Sequence, residues 1–582
     1  MVNLFNEIQS YINKKEKLNF NFIIILSILT SFLELISIAA IIPLVKIIVG
    51  NNDFSDTFFF KDLENYTDVD LDQKSLIVLI MVLILAIFII KALVIFFCES
   101  FKETYLKNMH DGLSSKLYKY YINIDYQKLS NFKLSDKLRH VGQVGFIVSF
   151  LKSSYIFVSD IILFVFLISF LFFFNFKMTL ILAIILSIIA LIITASSKKK
   201  IINYSKIAQK NVSATYENTI SALRSMKEII ILKRRSIFDQ RFNDAIYAIT
   251  KFTRKNNLLR FLPKIIYEVV TIFIIFLIII FLLIDGKSLI NNLEILAIYV
   301  VALLKIIPSF NKIVINYQNL NTSYAPAKET LDELKNVKSE NSVLNREVSN
   351  KNEIIFSDKI KINNLSFSYE NGKDEVLKNI NLEIKKGDII GFYGPSGGGK
   401  STFINLLLGL LKPTKGNIII NSLSIEKNLN SWHNSVSYVP QDIFLLNDTI
   451  KNNILFGINE SEISQNLFEK ALEISNLNEF LDKTPEGLNT IVGENAIKLS
   501  GGQAQRICLA RSLLKETKII FLDEATSKLD EKNEYEILEK LISKLQKDKT
   551  LIIVSHRVNT LKTFSNKVYK IDNKNIKLEY EK

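Results

Sequence analysis

The stretch Gly394-Pro395-Ser396-Gly397-Gly398-Gly399-Lys400-Ser401-Thr402 follows Asp388-Ile389-Ile390-Gly391-Phe392-Tyr393 and leads into an apolar run, Thr402 to Leu411. It fits G-x-x-x-x-G-K-[ST] between a buried strand and a helix. Backbone N–H groups of such a loop wrap phosphates, while its lysine and hydroxyl reach the terminal phosphates and Mg²⁺. A flexible surface loop would account for the glycines alone, but not for the strand before them and the apolar helix after them. The stretch therefore reads as a nucleoside triphosphate site. Further along come Leu499-Ser500-Gly501-Gly502-Gln503 and then a hydrophobic strand, Ile519 to Asp523, ending at Glu524.

The chain has 582 residues, a formal net charge of +14 and 49% hydrophobic residues, with a pI near 9.2. That is too long for one domain and too apolar for an ordinary soluble enzyme. Six apolar stretches lie in the first 320 residues: Phe20 to Val49, Leu76 to Phe97, Tyr155 to Phe174, Met178 to Thr194, Ile265 to Ile284 and Leu293 to Ile315. Each is close to the roughly 20 residues that cross a bilayer. Asn175-Phe176-Lys177 makes the third and fourth a tight hairpin.

Charge orients these spans. Glu99 to Ser153 and Ser196 to Lys264 are dense in Lys and Arg, whereas the loop after the first span holds Asp53, Asp56, Asp62, Glu64, Asp68, Asp70 and Asp72 against Lys61 and Lys74. The positive-inside rule places the termini and both long loops in the cytoplasm. The lysine excess is thus topological, and no nucleic-acid partner is expected. Lys14, Lys15 and Lys17 before the first span resemble a signal peptide, but no small-residue cleavage site follows, so a retained anchor is expected. Cys98 and Cys508 lie in different regions and suggest no disulfide framework.

The two long cytoplasmic segments have a helical pattern and lack proline until Pro263. Roughly thirty to thirty-five helical residues extend about 45–50 Å, so spans two to five should project beyond the membrane. Their tips are expected near Asn123 to Lys128 and near Ala214 to Arg224, as short turns able to dock on an ATPase. A polar stretch, Asn321 to Lys361, links the halves. Beyond it, Glu353 to Phe356, Ile360 to Tyr369, Val436 to Pro440, Ile519 to Asp523 and Leu551 to Ser555 read as strands with helices between several of them. The expected organisation is a multidomain membrane protein: a six-helix transmembrane bundle over residues 1–320, a linker over 321–355 and an α/β phosphate-loop ATPase domain over 356–582.

The second half resembles the ATP-binding cassette (ABC) superfamily, with the motifs in that family's order. The resemblance implies ATP and Mg²⁺ as cofactors. It implies that Tyr369 stacks on adenine, that Gly394 to Thr402 hold the phosphates, and that Gln441 senses the γ-phosphate and, with Ser401 and Asp523, serves Mg²⁺. Glu524 would be the catalytic base and His556 the switch histidine. Ser500, Gly501, Gly502 and Gln503 belong to the signature, which in this family closes over the ATP of the opposite subunit. One cassette and six spans imply a half-transporter of exporter type, most simply a homodimer. The family's loop after Glu524 usually has alanine where Ser527-Lys528-Leu529-Asp530 has Lys528, which makes this contact between subunits a departure from the pattern. No peptidase is expected ahead of the first span.

Ionisable groups inside a membrane are functional hypotheses by default. Lys305, Ser309, Lys312 and Asn316 recur at i, i+4, i+7 and i+11, which makes one helical face polar. Lys91 and Lys264 would join them in a basic wall suited to phosphate or pyrophosphate; alternatively Lys91, Lys264 and Lys312 snorkel to headgroups. Glu34 would pair with a lysine or line the same cavity. Ser31 to Pro43, Leu262 to Glu268 and Ala302 to Tyr317 are similar to bacterial flippases for lipid-linked oligosaccharides, although lysines replace that family's arginines and lack their bidentate fork. The segment Phe54 to Glu64, with Phe58-Phe59-Phe60, is either an interfacial helix gripping a polyprenyl tail or a loop with buried aromatics. The resemblance implies an ATP-driven exporter or flippase of the bacterial inner membrane. Its cargo would be an anionic amphiphile, for which a polyprenyl-pyrophosphate-linked oligosaccharide is the leading choice. The alternatives are lipid A-type lipids, drugs or peptides, or a membrane-anchored regulatory ATPase or ATP-gated channel.

Overall fold

The computed structural model describes residues 2–11, 14–42, 73–130, 133–284, 289–347, 356–369, 374–493, 499–544 and 549–582. The segment Phe54 to Glu64 and residues 353–355 lie outside them. Two compact units emerge, Met1–Asn123 with Phe132–Ser339 and Ile124–Asn131 with Glu340–Lys582.

Among the described residues, six helices are long and apolar enough to cross a membrane, and all of them begin in the first unit. They run Lys14–Ala39, Gln73–Asn123, Leu134–Phe172, Phe176–Arg224, Arg235–Ile284 and Leu289–Glu347. The four central ones have 51, 39, 49 and 50 residues, so each extends about 60–75 Å, longer than a bilayer is thick. Asn175 sets the hairpin between the third and fourth: its Oδ1 accepts from Met178 N at 3.1 Å and caps the helix. The Asn175 carbonyl accepts from the Tyr299 hydroxyl at 3.0 Å, which ties the turn to the sixth helix. Tyr267 stands edge-on to Phe310 with centroids 5.6 Å apart, joining the fifth and sixth helices in the buried core.

Two expectations need correcting. Ala214 to Arg224 is helix throughout; the chain turns later, at Ser225 and at Lys233, where φ is 54°. The sequence from Ala214 to Arg224 contains no glycine or proline to break the helix. The sixth helix likewise runs on to Glu347, through much of the polar connector. Leu320, Ala327, Leu331 and Leu334 are buried along it at spacings of one helical face.

In the second unit a parallel core is formed by the strands Ile389–Tyr393, Thr550–Val554, Ile519–Asp523 and Val436–Val439, with Lys567–Asp572 and Asn575–Glu581 beyond the first of these. Period-two alternation buries both faces. Ile519, Phe521, Ile552 and Val554 enter one core, while Ile520, Leu522, Leu551 and Ile553 enter the other. An antiparallel sheet, with Lys359–Phe367 between Leu377–Lys385 and Lys415–Ile420, adds to the first core. Phe356, expected to end a strand, precedes the first one and is buried in that core. The short helix Tyr126–Ser130 belongs to this unit: Lys412 Nζ lies 3.8 Å from Asp125 Oδ2, and Lys412 N donates to Gln127 Oε1 at 3.4 Å.

Candidate functional site

Parallel register brings the carboxyl ends of three strands together, because Val554 pairs with Phe392 on one side and Asp523 on the other. Ligands of open α/β sheets bind beyond such ends. Gly394 leaves the first strand against the backbone of Ile571, where a Cβ would stand 2.0 Å from the carbonyl oxygen. Gly399 caps the helix Lys400–Leu407 with φ 101°, a conformation that favours glycine. The loop between them keeps Pro395, Ser396 and Gly397 exposed; Gly398 N donates to Pro395 O at 3.1 Å.

Lys400 is buried and donates to the carbonyls of Gly394 and Pro395 at 2.9 and 3.0 Å. Its ammonium is thereby held over the loop whose N–H groups suit phosphates. Thr402 Oγ1 lies 3.0 Å from the Tyr369 hydroxyl, which places that half-exposed ring beside the loop. Ser401 is exposed at the same helix start.

Glu524 follows the strand Ile519–Asp523 with φ 48°. A non-glycine residue there carries about 1–2 kcal/mol of backbone strain, and such strain concentrates at functional sites. The surroundings hold it in place. Glu524 N donates to Val554 O at 3.0 Å, and its carbonyl accepts from Ser527 N at 3.0 Å and Gln505 Nε2 at 3.2 Å. Both carboxylate oxygens are engaged: Gln441 Nε2 donates to Oε2 at 2.6 Å, and His556 Nε2 lies 2.8 Å from Oε1. The structure thus gathers Gln441, Glu524 and His556 around one carboxylate.

Asp523 is 3% exposed. Oδ2 accepts from the Tyr438 hydroxyl at 3.4 Å, while Oδ1 is buried with no hydrogen-bond partner among the described residues. Burial, and then the neighbouring Glu524 carboxylate, push its carboxyl up to about 6. A buried carboxylate oxygen lacking a donor, with the Lys400 charge acting on it and a serine hydroxyl at the helix start, fits a hard cation that takes its remaining ligands from phosphate and water.

Ser500 caps the helix Gly501–Leu513 through a capping box: its Oγ accepts from Gln503 N at 3.2 Å, and its N donates to Gln503 Oε1 at 2.8 Å. The following loop packs on this turn, so a Cβ at Gly501 or Gly502 would meet Lys528 Cδ at 2.7 Å or Leu529 Cδ2 at 2.8 Å. Gln505 went unnoticed in the sequence. It is buried, donates to Glu524 O and accepts from Lys528 N at 3.1 Å, linking the helix Gly501–Leu513 to the turn that carries Glu524. An amide among Ile507, Cys508 and Leu509 on a buried helix was the available signal.

In the first unit Glu34 meets Lys91 and Lys305. Lys264 lies 5.8 Å from the Phe261 ring centre and Lys312 is exposed; neither joins that group. Of the four lysines, Lys91 and Lys305 thus share one carboxylate. Asp160 was also overlooked: it is buried in the third span, Ser309 Oγ donates to its backbone carbonyl at 3.3 Å, and its Oδ2 has no hydrogen-bond partner among the described residues. An acid within the run Tyr155 to Phe174 was the signal.

Residues 377–527 match the family described as ABC transporter, and residues 20–306 match the ABC transporter transmembrane region. The chain belongs to the ABC transporter family, and it is a multi-pass membrane protein carrying an ATP-binding domain. It is 41% identical over 204 residues to the ATP-dependent lipid A-core flippase of Wigglesworthia glossinidia brevipalpis, covering 35% of each chain. It is also 41% identical over 219 residues to a Staphylococcus aureus ATP-binding/permease protein named for multidrug export, covering 38% of this chain and 37% of that one. The chain thus spans about a third of the length of the curated relatives it matches. A bacterial Atm1-family ABC exporter solved with ATP bound shares its fold, with a TM-score of 0.73, 19% identity, and coverage of 97% of this chain and 95% of that one.

Proposed function

We propose that this chain is half of a homodimeric ATP-driven exporter or flippase of the bacterial inner membrane, with its cassette in the cytoplasm, and that its cargo is an anionic amphiphile. The observation that carries the reading is Glu524, strained at φ 48° and held between Gln441 and His556 on the same chain as six membrane-spanning helices. The loop amides and Lys400 bind the nucleotide phosphates, and Tyr369 flanks the base. Glu524 accepts the proton of the attacking water while Gln441 and His556 fix its two oxygens, a role typically worth about 10²–10⁴-fold in rate. Ser401, Gln441 and Asp523 would hold Mg²⁺, which supplies charge neutralisation at the phosphates when bound. Ser500 and the glycine N–H groups of one subunit complete the site of the other, so nucleotide draws the cassettes together and hydrolysis releases them.

Two lysines inside the bundle favour an anionic headgroup, and a relative is named for a lipid cargo, lipid A-core. A polyprenyl-pyrophosphate-linked oligosaccharide is the particular cargo we favour, on the likeness of the Ser31 to Pro43, Leu262 to Glu268 and Ala302 to Tyr317 stretches to flippases of that class. Lipid A-type lipid is the second reading, favoured by the relatives' names. ATP-dependent transbilayer movement of each labelled lipid by the purified protein in liposomes decides between them. Movement of lipid-linked oligosaccharide alone supports the first cargo. Movement of lipid A alone replaces it, and movement of neither removes both.

A further inference from the structure

One carboxylate oxygen inside the first unit serves two ammonium groups. Lys91 Nζ donates to Glu34 Oε2 at 3.1 Å, and Lys305 Nζ lies 3.3 Å from the same oxygen. Lys91 also donates to Ser37 Oγ at 3.1 Å and sits 4.5 Å over the Phe88 ring, which fixes it in place. The side chains of Lys91, Glu34 and Lys305 are 8%, 19% and 43% exposed, so the cluster is closed at Lys91 and open at Lys305. Two cations share one anion, leaving an excess positive charge.

A buried ammonium without a counterion is strongly disfavoured, so Lys91 needs an anion at every stage of a transport cycle. Glu34 supplies it in the arrangement described. A phosphate ester offers several charged oxygens and can bridge both ammonium groups without crowding them onto one atom. A neutral headgroup offers nothing that replaces the carboxylate.

We propose that Glu34 is a tethered competitor for the cargo headgroup: it occupies the place on Lys91 and Lys305 that a phosphate or pyrophosphate oxygen takes on loading. The inference rests on the anionic-cargo reading above. It makes Glu34 a specificity-determining residue that sets how strongly an anion must bind the two lysines to displace a carboxylate, whereas a neutral amphiphile gains nothing at the lysines with or without Glu34. Removing its charge should then strengthen binding of an anion, the reverse of what removing a ligand does.

The test uses full-length protein in nanodiscs, with a fluorescent short-chain phosphatidic acid and the equally labelled, uncharged diacylglycerol as probes. Glu34→Gln is expected to tighten phosphatidic acid about tenfold and to leave diacylglycerol unchanged. Glu34→Asp, which keeps the charge on a shorter arm, should tighten it less. Lys91→Gln and Lys305→Gln should each weaken phosphatidic acid about tenfold. Thermal unfolding of every sample identifies variants that have lost the fold; if Glu34→Gln is one of them, the comparison passes to Glu34→Asp, for which weaker binding than wild type overturns the inference. If Glu34→Gln weakens phosphatidic acid or leaves it unchanged while the lysine variants weaken it, the competitor role is wrong and the anionic cargo stands. If neither lysine variant has an effect, the anionic-cargo reading falls and takes the competitor role with it.

Discussion

His556 Nε2 lies 2.8 Å from Glu524 Oε1, although the histidine side chain is 51% exposed and the glutamate side chain only 10%. An accessible imidazole therefore touches a carboxylate that is itself sunk in the cassette. His556 thus orients one oxygen while Gln441, itself exposed, donates to the other at 2.6 Å, so both contacts reach the carboxylate from the solvent side.

Glu524→Gln keeps the size and most hydrogen-bonding capacity of the side chain but cannot take a proton. Steady-state ATP hydrolysis should fall by about 10²–10⁴-fold. Nucleotide affinity, measured by equilibrium binding, should be retained. Loss of affinity in parallel with rate would assign Glu524 a binding role instead.

Asp523 gives the site a pH dependence. Its carboxyl is raised from 3.8 to about 6, first by burial and then by Glu524. The folded state therefore holds this proton more tightly than the unfolded state. Below about 3.8 both states are protonated and the group is neutral for stability; as pH rises through about 6 the native site acquires a poorly solvated charge and loses stability. Cation binding has the opposite preference, because a proton competes for the same oxygen. Mg²⁺-dependent nucleotide affinity should weaken as pH falls through about 6, and Asp523→Asn should flatten the profile.

Gln505 joins the signature helix to the turn carrying Glu524. Gln505→Leu leaves the Glu524 carbonyl with Ser527 N alone and removes the acceptor of the part-buried Lys528 N–H, at a cost of about 1–3 kcal/mol. The cassette should melt earlier in a thermal scan, and turnover should fall through kcat more than through KM. A pure packing role would lower the melting temperature alone.

Gly394→Ala sets a Cβ against the Ile571 carbonyl at 2.0 Å. The strand and the phosphate loop must then separate. Nucleotide binding should be lost even where the variant remains folded, whereas Gly397→Ala, with open space around it, should be milder and limited to the strain of φ 77°.

Much of this architecture is legible in the sequence because it rests on local pattern. The run Ile519 to Asp523 is apolar on both faces and forms a strand with those limits; six apolar runs give the six long helices. The second tip was misplaced because the turn depends on Lys233 adopting a left-handed conformation, which its residue type does not announce. The sixth helix was cut short because polar composition masked the spacing of Leu320, Ala327, Leu331 and Leu334. For the charged groups inside the bundle, pattern named the lysines and offered Glu34 as a partner for one of them, but not which lysines it meets. The meeting of Glu34 with Lys91 and Lys305 is made by three helices far apart in the chain, and only packing reveals it.

The central claim is that ATP hydrolysis in this cassette moves an amphiphile through this bundle. Its most direct test is the rate of ATP-dependent transbilayer movement of labelled lipid-linked oligosaccharide in liposomes, compared between wild type and Glu524→Gln. The account predicts movement by the wild type that requires ATP and falls with hydrolysis in the variant. Equal movement by the two proteins, or wild-type hydrolysis with no movement of any anionic amphiphile, would contradict it.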